Sequence, residues 1–193
     1  MLVDEKGWVM LRMGTGFSLV ELLIAMALFA ILSALAMPSF LAWIQNQQIR
    51  STAEGIYNSL QRAESEAAKQ NQPVDFALIS NTPSNGATPS PSSTGPNWEV
   101  AVDQGGTPST SGFIQGGLAA ESGKNASINS TQSTVTFSGT ATSAGVTINV
   151  SNPTGGACVS AGGPMQCLQI NVTPYGSIRM CNPALPAGSP QGC

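Results

Sequence analysis

Histidine is absent from this chain of 193 residues, and charged residues make up only 9% of it. The lack of histidine excludes Ser-His-Asp and Cys-His nucleophile arrangements and every metal site that needs an imidazole. With seven basic residues and a net charge of −3, the chain also lacks the basic surface typical of proteins that bind nucleic acid. Its length allows one domain with an appendage.

The features that an active site would need are also missing from the sequence. The acidic residues of the C-terminal region are scattered: Asp75, Glu99, Asp103 and Glu121. They form no paired-carboxylate motif, and the chain has no Gly-rich phosphate loop and no cluster of metal ligands. We therefore expect no enzymatic activity, no cofactor and no bound metal.

The chain does contain one long apolar run, residues 17–42, with a single charge, Glu21, and one proline, Pro38. As a helix it would be about 39 Å long, enough to cross a hydrocarbon core of roughly 30 Å. A cleaved secretory signal has a shorter apolar core of about 7–15 residues that ends at a small-residue cleavage site. The run therefore predicts a transmembrane helix, with a kink at Pro38. Glu21 could be incidental, since a glutamate near a helix end can snorkel to the surface.

Residues 43–72 change to an amphipathic pattern. Apolar residues recur there at intervals of three and four: Ile49, Ala53, Ile56, Leu60, Ala63 and Ala67. Arg50–Glu54 and Arg62–Glu66 are spaced to support a helix, and Pro73 stops the pattern. The two segments together predict one helix over 17–71, whose amphipathic half needs a domain to cover its apolar stripe.

The pattern of residues 73–193 predicts a small β domain. Short β-branched runs predict strands at 74–79, 98–103, 134–137, 146–150, 167–172 and 177–181. Runs of Ser, Thr, Asn, Gly and Pro predict loops at 80–97 and 104–112. Trp98 belongs to the second of these strands and is expected to pack in the core. The predicted fold class is therefore α+β, a long N-terminal helix packed on a small antiparallel β domain.

Four cysteines lie in the last part of the chain: Cys158, Cys167, Cys181 and Cys193. An even number in an exported domain suggests two disulfides, for which three connectivities exist. We favour Cys158–Cys167, which closes a Gly/Pro-containing loop, and Cys181–Cys193, which ties the C-terminal tail to the last strand. A zinc site with four thiolates is the alternative, although no CxxC pair is present.

The junction before the apolar run carries the strongest motif, Gly16-Phe17-Ser18-Leu19-Val20-Glu21. It resembles the type III signal of type IV pilins and pseudopilins. The resemblance implies that prepilin peptidase removes a leader, residues 1–16, by cutting after Gly16, and that Phe17 is then N-methylated. It also implies that Glu21 meets the free amine of a neighbouring subunit during assembly, and Pro38 fits the helices of this family.

The leader itself departs from the short, basic leaders of that family. Asp4 and Glu5 offset the charges of Lys6 and Arg12. Initiation at Met10 would leave Arg12 as the only charge before the cut, which satisfies the positive-inside rule better. The true start is therefore either Met1 or Met10.

The order of elements after the helix resembles the GspH/FimT family of minor pilins and pseudopilins, and the cysteine-closed tail resembles its FimU branch. The resemblance implies a minor type IV pilin that primes assembly and stays near the tip of the fibre. Its partners would be other minor and major pilins, prepilin peptidase and the inner-membrane assembly platform. It would begin as a single-pass inner-membrane protein and end in the pilus fibre. A pseudopilin of a type II secretion system is the alternative.

Some FimT-type relatives bind DNA through a Gly-Arg-x-Arg segment near the C-terminus. The matching stretch here is Gly176-Ser177-Ile178-Arg179, in which Ser177 replaces the first arginine. Binding to a phosphate backbone needs several cationic contacts, and only Lys124 and Arg179 follow residue 72. We therefore expect Arg179 to be a lone surface charge rather than a DNA-binding residue.

Overall fold

A computed structural model describes residues 16–103, 105, 108–139, 141–142 and 144–193 of the protein. All of the predicted leader except Gly16 lies outside the described residues, and so does the alternative start at Met10. The chain divides into two compact units, Met1–Pro38 and Ser39–Cys193, which we describe separately.

The long helix, α1, spans Leu19–Gln70, close to the predicted range of 17–71. Asn71 ends it in the left-handed conformation with φ of 51°, a geometry that asparagine tolerates at helix C-termini. Pro73 follows and prevents continuation. Pro38 lies inside α1, and the kink predicted there remains a prediction.

In the second unit, α1 buries the stripe predicted from the periodicity. Every residue of that stripe is fully buried: Ile49, Ala53, Ile56, Leu60, Ala63 and Ala67. Both predicted ion pairs form: Arg50–Glu54 at 2.8 Å lies on the outer side of the helix, and Arg62–Glu66 at 2.9 Å includes a glutamate that is itself buried. The amphipathic half of the helix is therefore confirmed.

The remaining elements are strands and one short helix. They are β1 Val74–Ile79, β2 Asn97–Asp103, β3 Pro108–Leu118, α2 Ala119–Ser122, β4 Ser127–Ser130, β5 Thr134–Ser138, β6 Ala141–Thr142, β7 Val146–Ser151, β8 Leu168–Val172 and β9 Ile178–Cys181. They form two antiparallel sheets, ordered β3-β2-β1-β5-β6 and β4-β7-β8-β9. The α+β fold class is confirmed, and each of the six predicted strands agrees with an observed one to within one residue at either end.

One hydrophobic core joins the helix to both sheets. The α1 stripe shares a cluster with Phe76 and Leu78 of β1, Val100 of β2, and Ile148 and Ile170 of the second sheet. Alternation along β1 puts Val74, Phe76 and Leu78 on one face, and all three belong to this cluster. The helix is thus covered by its own β domain, as its apolar stripe requires.

The loop predicted at 104–112 is wrong over its second half, because β3 begins at Pro108. This strand pairs with β2 through backbone groups, which Ser, Thr and Gly supply as well as large apolar residues do. Register shifts near Ala101 show that the pairing is irregular. β4 and β6 are also strands that the sequence did not indicate. β4 has a single apolar side chain, Ile128, and takes its form from pairing with β7.

Trp98 of β2 is buried between two glycines. A Cβ atom at Gly55 of α1 would lie 3.0 Å from the indole ring, and one at Gly117 of β3 would collide with it. The indole N–H donates to Ser59 Oγ of α1 at 2.9 Å. Trp98 therefore packs in the core, as expected from the alternation of its strand, and ties the first sheet to the helix.

Candidate functional site

The predicted cleavage junction lies outside regular structure. Residues 16–18 precede α1, and a Cβ atom added at Gly16 would meet nothing within 4 Å. Phe17 is 76% exposed. A protease must bind its substrate in an extended form, so an exposed, non-helical peptide bond between Gly16 and Phe17 has the accessibility that cleavage needs.

Glu21 lies in the first turn of α1 and is exposed. A carboxylate in this position interacts favourably with the partial positive charge of the helix N-terminus. Since Phe17 is only four residues earlier, a free amine at Phe17 and the Glu21 carboxylate would belong to the same end of the helix.

The described part of the first unit leaves its large apolar side chains exposed. Large exposed residues follow one another along it, among them Leu22, Ile24, Leu28, Phe29, Leu32 and Leu35. α1 is the one helix among the described residues that is long and apolar enough to cross a membrane. An apolar surface of this extent is expected to be buried against lipid or against other protein chains.

The four cysteines form two disulfides in the second unit. Cys158 is bonded to Cys167 and Cys181 to Cys193, with Cα–Cα distances of 5.4 and 5.2 Å. This is the pairing favoured from the sequence. The described part of the chain contains no free cysteine, so no thiolate remains there to bind the zinc ion of the alternative prediction.

Arg179 is used to hold the C-terminal tail. Its guanidinium Nη2 donates to the backbone oxygens of Pro190 at 3.1 Å and Gly192 at 2.8 Å. The tail also pairs with the end of β9, since Asn182 N–H donates to Gln191 O at 2.7 Å. Arg179 is exposed on β9 and has no ion-pair partner among the described residues, as expected of a lone surface charge, but the sequence did not indicate its contacts with the tail. Its acceptors are backbone carbonyls, which no side-chain motif reveals.

Sequence reasoning also missed two amide contacts between α1 and the loops of the second sheet. Asn46 Oδ1 accepts the backbone N–H of Gln166 at 2.8 Å, and Gln48 Oε1 accepts Asn152 Nδ2 at 3.0 Å. They fasten the region of the Cys158–Cys167 disulfide to the helix directly after its apolar run. A cluster of four amide residues at 45–48 was the only signal for them.

Strand pairing brings together two of the acids that are scattered in the sequence. Asp75 of β1 is fully buried and accepts a 2.6 Å hydrogen bond from Thr136 of β5. The pKa of Asp75 is raised to about 6, mainly by burial; the hydrogen bond from Thr136 opposes the rise and the carboxyl group of Asp103 adds to it. Burial also raises the pKa of Glu99. Holding these acids inside the domain costs stability when they ionise.

The described residues place no three His, Cys, Asp or Glu side chains where they could share a metal. A groove of about 390 Å³ opens between α1 and the tail, lined mainly by amides and including Arg50. Arg50 is paired with Glu54. The groove thus offers no nucleophile with an adjacent base.

An exposed apolar helix with one acidic residue in its first turn, continued as a helix buried against antiparallel sheets, defines a pilin-like subunit. A profile of the family described as Type II transport protein GspH matches residues 52–173, and the prokaryotic N-terminal methylation motif matches residues 12–37. The chain belongs to the GspH family of minor pilins and pseudopilins.

Several solved structures are similar to this chain. The type IV minor pilin FimU of Pseudomonas aeruginosa is 16% identical in one crystal form, with a TM-score of 0.50 over 75% of this chain and 98% of that one. A second crystal form of FimU gives 15% identity and a TM-score of 0.51, covering 75% and 94% of the two chains. The minor pseudopilin EpsH from the Type 2 Secretion System of Vibrio cholerae gives 10% identity and a TM-score of 0.45, covering 72% and 99%. No curated protein sequence matches the chain.

Proposed function

We propose that this chain is a minor type IV pilin that helps to prime pilus assembly and remains in the fibre near its tip. The observation that carries the proposal is the uncovered apolar half of α1 behind the Gly16–Phe17 junction, in a chain of the GspH family. The fold is that of FimU, a type IV minor pilin. The role is structural, and chemistry on the chain is limited to its processing.

Processing would start at the exposed junction. Prepilin peptidase would cut after Gly16, remove residues 1–16 and methylate the new amine of Phe17. The absence of any side chain at Gly16, with open space around it, supports this placement because the backbone can enter a protease site unhindered.

Assembly would then use the two charges at the start of the helix. A carboxylate within a bilayer costs about 3 kcal/mol and is usually retained for function. Glu21 would offset that cost by pairing with the Phe17 amine of a neighbouring pilin. The exposed apolar residues between Leu19 and Pro38 would pack against the equivalent helices of other subunits.

Before assembly, residues 17–42 would span the inner membrane. The segment 43–72 and the β domain, residues 73–193, would lie on the exported side, where disulfides form. Extraction by the inner-membrane assembly platform would deliver the subunit to a complex of minor pilins. The β domain would then provide the lateral contacts that fix its place among them.

The test is the amount of sheared surface pili in a strain that lacks the gene, compared with the same strain after restoration. We expect loss of pili without the gene, recovery with it, and normal export of secreted enzymes throughout. Restoration with Glu21→Leu should fail, whereas restoration with the matched variant Ser18→Ala should succeed.

Unchanged pili in the deleted strain would contradict the proposal. Loss of enzyme export with normal pili would instead identify a type II secretion pseudopilin, the alternative to which the family's description points. DNA uptake is a weaker alternative because Arg179 is engaged with the tail.

A further inference from the structure

Two aromatic rings mark the place where the apolar run of α1 ends. Phe40 and Trp43 have ring centroids 6.0 Å apart and are stacked with an interplanar angle of 22°. Both belong to the second unit, yet they are 59% and 56% exposed. Ala42, between them, packs partly against the core of that unit. The ring pair is therefore an apolar surface that the protein's own domain does not cover.

The two tryptophans of the described chain differ in what their indole N–H groups do. Trp98 is 2% exposed and donates to Ser59 inside the core. Within the described residues, the indole N–H of Trp43 has no hydrogen-bond acceptor. An exposed ring with an unused donor suits an environment that is apolar on one side and rich in acceptors on the other.

The boundary of a phospholipid bilayer is such an environment. Aromatic residues gather at both interfaces of membrane proteins, where rings contact acyl chains and polar groups reach headgroup oxygens. Phe40 precedes Trp43 by about one helical turn, so the purely apolar ring lies nearer to the apolar run and the ring with a donor follows it. Amide residues follow at 45–48, which is the order expected when a helix leaves the hydrocarbon.

We propose that Phe40 and Trp43 bind the headgroup–acyl boundary of the membrane on its exported side and set the depth at which α1 emerges. This inference rests on the proposed membrane anchor. The partner is phospholipid, because the ring pair continues the apolar segment that lipid would surround before assembly.

The position of the ring pair also places the folded unit at the membrane surface. Asn46, which accepts the backbone N–H of Gln166, follows Trp43 by three residues, or about 4.5 Å of helix rise. The first contact of the β domain with the helix would thus lie directly above the headgroups. No free linker would separate the domain from the bilayer before the subunit is extracted.

The test uses the full chain in phosphatidylcholine vesicles whose acyl chains carry bromine, a quencher of tryptophan fluorescence. One set of vesicles carries bromine near the headgroups and another carries it near the chain ends. Every variant contains Trp8→Phe, so that Trp43 and Trp98 are the only fluorophores among the three tryptophans of the chain. Flotation of the vesicles reports membrane association separately.

We expect shallow bromine to quench about twofold more than deep bromine, as interfacial placement of Trp43 requires. Trp43→Phe should abolish this quenching, because Trp98 is buried in the domain. Combining Trp43→Phe with Leu35→Trp moves the fluorophore by eight residues, about 12 Å along the helix, and should reverse the preference. Leu35 is 74% exposed, so a larger ring has room there.

A chain that fails to float with vesicles would overturn both the membrane anchor and this inference. A chain that floats, with Leu35→Trp quenched by deep bromine but Trp43 unaffected by shallow bromine, would overturn this inference alone. Protection of Trp43 from acrylamide only in assembled pili would instead identify the ring pair as a contact between pilins.

Discussion

The two halves of α1 contrast in what surrounds the same kind of side chain. In the first unit Leu28 is 57% exposed, whereas Leu60 in the second unit is fully buried. Both are leucines within one continuous helix, Leu19–Gln70. Helix propensity is therefore the same for both, and only the surroundings differ.

The contrast shows that one helix serves two different partners. The second half packs against the sheets of its own chain, and its outer side carries charged residues such as Arg50 and Glu54. The first half is apolar all round, which suits lipid or neighbouring helices. Its backbone hydrogen bonds are internal to the helix, so it can exist in either setting.

We expect the largest effect on pilus assembly, from replacing Glu21, which is the only charged residue in the apolar half of α1. Glu21→Leu removes the proposed partner of a neighbouring amine without changing any buried contact of the second unit. Incorporation into sheared pili should be lost, while the membrane-bound pool persists. Immunoblots of the two fractions measure it.

Ser18→Ala, in the same turn, is the matched control and should assemble normally. Equal incorporation of Glu21→Leu and the wild type would show that the carboxylate is dispensable.

The next prediction compares how truncating a leucine in each half of α1 changes the free energy of unfolding. Leu60→Ala opens a cavity in the core and should lower the free energy of unfolding of the second unit by about 2–5 kcal/mol. Leu28→Ala should change it by less than about 0.5 kcal/mol, as expected for a surface position. Denaturant titration of the detergent-solubilised chain, followed through Trp98 fluorescence, compares the two. Similar losses for both leucines would refute the contrast in burial.

A smaller effect concerns pH. Asp75 has a folded pKa of about 6, above its usual value of 3.8, so the folded state prefers the protonated form. Stability should therefore fall as pH rises from about 4 to 6 and remain lower above that window. Asp75→Asn cannot ionise and should stabilise the domain by about 1–3 kcal/mol at pH 7, with the gain shrinking toward pH 4.

Urea titrations at several pH values provide the measurement, and the exposed Glu121→Gln is the control. If Asp75→Asn raises the free energy of unfolding equally at pH 7 and pH 4, the effect comes from packing and not from ionisation.

The smallest effect is expected at the tail. Arg179→Gln loses both hydrogen bonds to Pro190 and Gly192 but leaves the Cys181–Cys193 disulfide in place. Global stability should drop by about 1 kcal/mol or less, since the group is exposed. Amide hydrogen exchange near Asn182 should nevertheless accelerate, whereas Lys124→Gln should leave it unchanged. Unaltered exchange would mean that the disulfide alone holds the tail.

Features whose sequence pattern lies within a few neighbouring residues could be predicted. The α1 stripe has a period of three to four residues, so Ile56 and Leu60 could be identified as core residues without a structure. The six strands rich in β-branched residues were equally visible. The Gly16–Glu21 motif is local as well, and the family match agrees with it.

Features that depend on distant backbone could not be predicted. β3 is a strand because β2 lies beside it, and Gly117 is required there because Trp98 fills the space above it. The acceptors of Arg179 are carbonyl oxygens that every residue possesses. Asp75 and Asp103 become neighbours only through strand pairing, so their spacing in the chain gave no sign of a shared environment.

The connectivity of the disulfides has a consequence for maturation. Each cysteine is bonded to the next one along the chain, Cys158 to Cys167 and Cys181 to Cys193. For a domain exported N-terminus first, the partners of each bond emerge one after the other. An oxidase that joins cysteines in order of appearance would therefore reach the native pairing directly, and the protein should mature normally in cells that lack a disulfide isomerase.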